Sequence, residues 1–216
     1  MILEFKGRYP KVDPTAFVAE NAMVIGDVEI GPGANIWFNC VVRGDQNYIR
    51  IGSNCNIQDA CVLHVEKDLY PLIIEDEVAL GHRVVVHGCR IGKGSLIGIG
   101  AIVLNGAEIG EESIVGAGSV VTPQTIIPPR TLALGIPAKP VRPLDEKDFE
   151  MIRNTISDYQ NLKEIYSSSS QGGRKNYTFS NISLGAPHIG QTQSSGSFAK
   201  GVLGGMLPSS SPFSGS

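Results

Sequence analysis

Three histidines, His64, His82 and His87, stand close together in a chain that holds only one other, His188. Neutral imidazole is a common ligand for zinc and related divalent cations. Three such ligands leave one tetrahedral position open, which is the catalytic rather than the structural pattern. Arg43, Asp45, Gln58 and Asp59 lie a short way upstream and can carry charge or orient a reactant. The chemistry that this set offers is activation of a water by a metal ion.

Those side chains need a scaffold, and the sequence carries a ruler of six residues. An aliphatic recurs at that spacing in four blocks: Val18 to Val42, Ile51 to Leu63, Ile74 to Val86, and Ile91 to Val121. Four places after each aliphatic comes a small or β-branched residue, as at Ala22, Ala34, Cys40, Cys55, Cys61, Val84, Ala101 and Ser113. A period of six is neither helical nor a plain alternating strand. It fits a short strand plus a turn, three of which close a triangular coil of 18 residues. Coils stack at the inter-strand spacing of about 4.8 Å.

The ruler breaks between Val42 and Ile51, between Leu63 and Ile74, and between Val86 and Ile91, where inserted residues are expected to leave the scaffold, and every polar residue of interest lies at or between those breaks. Counting units of six places Arg43, His64 and His87 in one outward column, with neighbours about 5 Å apart. Gln58, Asp59 and His82 fall on a second face. His82 therefore meets the other two histidines only if prisms pack side by side, the first face of one against the second face of the next. Three chains closed in a ring would build three equivalent sites.

Composition restricts the alternatives. The 216 residues have 42% hydrophobic but only 6% aromatic content, 26 glycines and a net charge of −3. That mixture suits many tight turns around small branched aliphatics. No basic run interleaved with aromatics points to nucleic acid, and no apolar stretch approaches a membrane span. The start resembles no signal peptide, and four cysteines without CxxC spacing read as reduced. Both point to the cytoplasm. Domain organisation is expected as a β-helix domain over 1–140 (repeat about 10–127), a helix over 145–166 capped by Asp145, and a disordered tail over 167–216. The tail holds 14 Ser, 9 Gly and no acidic residue, a composition that cannot bury enough apolar surface to order itself.

Arg43-Gly44-Asp45, Asn56-Ile57-Gln58-Asp59, His64, Gly81-His82 and His87-Gly88 together resemble the γ-class carbonic anhydrases. The repeat over roughly 10–140 is similar to the hexapeptide-repeat proteins, which implies left-handed winding. The family resemblance implies a homotrimer with zinc, or iron or cobalt, held by His64, His82 and His87 at a subunit interface. It implies reversible hydration of carbon dioxide to bicarbonate by a metal-bound hydroxide, with Gln58 orienting that oxygen. It further implies that Arg43 and Asp59 pair across the boundary while Asp45 supports Arg43. One departure stands out. The archaeal enzyme type carries a long acidic loop with a shuttle glutamate, whereas here the loop is short, and neither Glu66 nor Asp68 sits at the matching offset. Gln46 also replaces a family glutamate. Two other functions suit the repeat: a CoA-dependent acyltransferase or thioesterase with a pocket near 115–140, and a non-catalytic trimeric assembly subunit.

Overall fold

The computed structural model describes residues 1–171. They form a left-handed parallel β-helix of about 7 turns followed by a single helix, Glu146–Gln171. The expected tail therefore lies, beyond Gln171, outside the described residues, together with His188. The ruler residues all point inward. Val24, Val42, Leu63, Val86, Val103 and Val121 stack on the first face, Ile36, Ile57, Leu80, Ile97 and Val115 on the second, and Ile30, Ile51, Ile74, Ile91 and Ile109 on the third. Each is buried. Removing one such side chain from water contributes roughly 1.5–3 kcal/mol, and the parallel ladder pairs the backbone groups buried with it.

The residue three places after each inward aliphatic explains the corners. Asn39, Asn54, Ala60, Glu77 and Arg83 have positive φ, as do Gly33, Gly94, Gly100 and Gly118. Each immediately precedes a buried residue such as Cys40, Cys55, Cys61, Val84 or Ala101. A left-handed residue swings the chain around the corner, and a small or β-branched side chain fits where two faces meet. The four cysteines are free and buried, and burial pushes the Cys55 and Cys89 thiols up to about 12.

The three breaks behave differently. The first is no excursion: Val41–Ile51 is one 11-residue strand that bends from the first face to the third. This corrects the expectation that its residues leave the scaffold. The second is a short segment closed by an antiparallel bridge between Glu66 and Tyr70. The third is a tight turn in which Gly88 has a φ of 53°.

The last strand of the second face, Thr131–Gly135, is followed by Ala138–Pro143, which turns back antiparallel to it. The helix begins on a reciprocal cap. Asp145 Oδ1 accepts from Lys147 N at 3.0 Å, and Asp148 Oδ2 accepts from Asp145 N at 2.8 Å. It lies on the second face over Asn35–Ile36, Asn56–Ile57 and Ala79–Leu80. There Trp37 packs against Tyr159 and Tyr166, each with ring centroids 5.2 Å away, and Gln160 Nε2 donates to Gly33 O at 3.0 Å. The helix runs on past Tyr166 to Gln171, five residues beyond its expected end. Among the described residues, no helix is long and apolar enough to cross a membrane.

Candidate metal centre

His64 and His87 sit on adjacent rungs of the first face, paired directly in register. Each follows an inward aliphatic, so both rings project outward, with centroids 5.0 Å apart. His64 Nδ1 faces His87 Nε2 at 3.0 Å. On its other side His64 Nε2 meets Asp45 Oδ1 at 2.9 Å, and Asp45 also accepts from Arg43 Nη1. Burial alone would raise the Asp45 carboxyl. The hydrogen bonds from His64 and Arg43, with their charges, outweigh it and hold the group below the usual carboxylate range. His87 Nδ1 is bonded to Asn105 Oδ1.

Two acceptors therefore capture the outer N–H of each ring. A carboxylate and an amide oxygen accept only, so the proton sits on His64 Nε2 and on His87 Nδ1. The facing nitrogens are then both lone pairs, 3.0 Å apart, an arrangement that a proton or a metal ion between them would relieve. Two nitrogens bound to one tetrahedral metal at about 2.0–2.1 Å would stand roughly 3.3 Å apart. The donor set fits a divalent ion.

His82 stands on the second face. Its Nδ1 meets Asp59 Oδ2 at 2.9 Å, which leaves Nε2 as the lone pair, and the Tyr159 hydroxyl approaches that atom at 3.3 Å. Burial and then the Asp59 charge push the Tyr159 phenol up, so it is a neutral donor. Gln58 Oε1 accepts from His82 N at 3.1 Å, which leaves its amide hydrogens free to donate. The His64 side chain is only 13% exposed, whereas His82 is 41% exposed. The His64 ring is the more sheltered and the His82 ring the more open to solvent.

Thus one chain brings together Arg43, Asp45, His64 and His87, and separately Gln58, Asp59 and His82. Among its described residues, no three His, Cys, Asp or Glu side chains are grouped to hold an ion. Sequence reasoning missed Asn105 and Tyr159. The first was findable, since it follows His87 by one coil of 18 residues. The second was not, because position along a helix does not tell which side chain meets His82 once the helix docks.

Comparisons with known proteins agree with this architecture. Residues 88–123 match the family model described as bacterial transferase hexapeptide (six repeats), and residues 71–95 match the hexapeptide repeat of succinyl-transferase. The chain is 50% identical over 151 residues to the "Probable carbonic anhydrase" of Methanocaldococcus jannaschii, covering 70% of this chain and 94% of that one. It is 45% identical over 171 residues to the "Carbonic anhydrase" of Geobacillus kaustophilus, covering 79% and 93%. A solved Bacillus cereus protein described as a proposed acetyltransferase shares 44% identity and a TM-score of 0.76, over 77% of this chain and 96% of that one.

Proposed function

Because this chain belongs to the γ-class carbonic anhydrase family, we propose that it hydrates carbon dioxide reversibly at a divalent-metal centre shared between subunits of a homotrimer. One observation carries the metal reading. All three histidines have one ring nitrogen facing an oxygen acceptor at close range, His64 and His87 hydrogen-bonded to Asp45 and Asn105 and His82 within ion-pair distance of Asp59. That is the outer arrangement that metal-ligating imidazoles use.

His64 and His87 of one subunit and His82 of the next would hold the ion, zinc or alternatively iron or cobalt. When bound, such an ion acidifies a water enough to supply hydroxide near neutral pH, chemistry best known from carbonic anhydrases themselves. Gln58, its oxygen committed to His82 N, donates to an oxygen at the site and so orients it. Arg43 keeps guanidinium donors beyond those on Asp45, and its exposed side chain would pair with Asp59 of a neighbour. The trimer reading draws support from the surface beside the histidine column. Met23, Val41, Val62, Val85, Ile102 and Val120 stack outward there in register, and Val62 is 41% exposed. An apolar ladder of that length is what a subunit interface covers.

Proton removal is the weak step. The one carboxylate in the short loop that reaches the site, Glu66, is engaged with Asn105 Nδ2 at 2.7 Å. The acyltransferase reading has the Bacillus cereus likeness in its favour. Against it, the groove bordered by Ile126, Ile127 and Pro129 presents Glu75, Glu108 and Glu111 with Arg90, an acidic wall for a CoA diphosphate. The test is metal analysis of anaerobically purified protein, coupled to carbon dioxide hydration in wild type and His82→Ala. One metal per subunit, lost with hydration in His82→Ala, is expected. A trimer that never binds metal sinks the proposal, and bound metal without hydration moves it to an assembly subunit.

A further inference from the structure

The segment inserted between Leu63 and Ile74 leaves the repeat only to fold back on it. Glu66 N donates to Tyr70 O at 2.9 Å and closes the segment on itself. Tyr70 then lies across two higher rungs. A Cβ added to Gly88 would come 2.8 Å from Tyr70 Cβ, and one added to Gly106 would come 2.9 Å from its ring. Both glycines have positive φ, so the bare, tightly turned backbone at those points is what admits the tyrosine. The same two rungs carry His87 and Asn105. Asn105 Oδ1 accepts from His87 Nδ1, while Asn105 Nδ2 donates to Glu66 Oε2 at 2.7 Å. A carboxylate accepts only. Glu66 therefore decides which way the Asn105 amide faces, and the amide oxygen decides which nitrogen of His87 carries the proton.

We propose that Glu66 and Asn105 are positioning residues for His87, holding its ring as the Nδ1–H tautomer with Nε2 aimed at His64. The proposal rests on the metal reading only for what Nε2 is aimed at, since the tautomer belongs to the metal-free chain. The carboxylate at the far end polarises the amide and strengthens its oxygen as an acceptor. That in turn raises the basicity of the opposite ring nitrogen. The short loop thus has a use of its own: it brings a fixed negative charge two hydrogen bonds away from the histidine pair.

The test uses the full-length protein and two readouts. Nitrogen-15 spectra of the histidine rings in metal-free protein report the tautomer, and competition with a chelator reports zinc and cobalt affinity. Asn105→Ala and Glu66→Ala should shift His87 toward the Nε2–H form and weaken metal binding by about 10- to 100-fold. Asn105→Asp alone sets two carboxylates against each other. Adding Glu66→Gln reverses that hydrogen bond, the new amide donating to the new carboxylate, and should recover tautomer and affinity. A purely structural role would lower thermal stability without moving the tautomer. Folded alanine variants with unchanged tautomer and affinity overturn the proposal, as does a double variant that recovers nothing. If wild type takes up no metal, the proposed function fails, and the tautomer comparison alone decides this inference.

Discussion

His64 Nδ1 and His87 Nε2 face each other across 3.0 Å although the residues stand 23 apart in sequence. The separation exceeds the regular 18-residue coil, and the excess is absorbed by the segment around Glu66 and Tyr70 without loss of phase. A parallel ladder tolerates such excursions because each rung is tied to its neighbours by backbone bonds. The pair is therefore placed by topology, and under the proposed function a third ligand would come from another chain.

That division predicts complementation. His64→Ala and His82→Ala proteins should each bind almost no metal. Refolded together in equal amounts they should recover about a quarter of the wild-type sites, because each mixed ring of three holds one intact interface. Atomic absorption of the mixed protein measures this, and a mixture that stays metal-free rules out a site shared between chains.

Charging the outward ladder should separate assembly from folding. Val62→Lys places an ammonium in the middle of the stacked apolar column, where a partner would have to bury it unpaired. Sedimentation should show monomers that have lost metal, with circular dichroism and melting temperature close to wild type, since this side chain is 41% exposed within one chain.

If proton release limits turnover, external buffer should replace the missing shuttle. The steady-state rate at a fixed pH should climb with imidazole concentration and level off, as for a general base acting from solution. Stopped-flow hydration assays at constant ionic strength would show it, and a rate indifferent to buffer would place the slow step in the chemistry.

The helix anchor has its own pH signature. The Arg142 guanidinium beside Asp148, with the Asp145 backbone N–H, holds the Asp148 carboxyl down to about 2. The unfolded value is about 3.9. Stability from this depressed carboxylate is complete above the unfolded value and disappears as pH falls from about 4 toward 2. Asp148→Asn keeps an oxygen for the cap and removes the charge. Wild type should exceed it by about 1 kcal/mol near neutrality, as for a good surface pair, and the gap in thermal melts should close by about pH 2.

The column of Arg43, His64 and His87 was legible in the sequence because a six-residue period keeps inward and outward positions countable through an insertion. The same count separated His82 from them. Two things escaped it. Treating every break as an excursion misjudged Val41–Ile51, which stays in the sheet because extended residues bridge a corner as well as a turn does. Looking only at the breaks hid Asn105, which sits inside the regular repeat and acts on His87 from one coil away. The contact of Tyr159 with His82 depends on how the helix docks, and spacing along the helix carries no information about that.

The antiparallel return of Ala138–Pro143 along Thr131–Gly135 bears on colloidal behaviour. A prism of parallel rungs ends in unpaired backbone groups that could template another prism end to end, the route by which exposed sheet edges grow into filaments. On the second face that edge is occupied by the chain itself, running the wrong way for a further parallel rung and carrying prolines at Pro140 and Pro143. Growth along the axis is blocked on that face by the chain's own return.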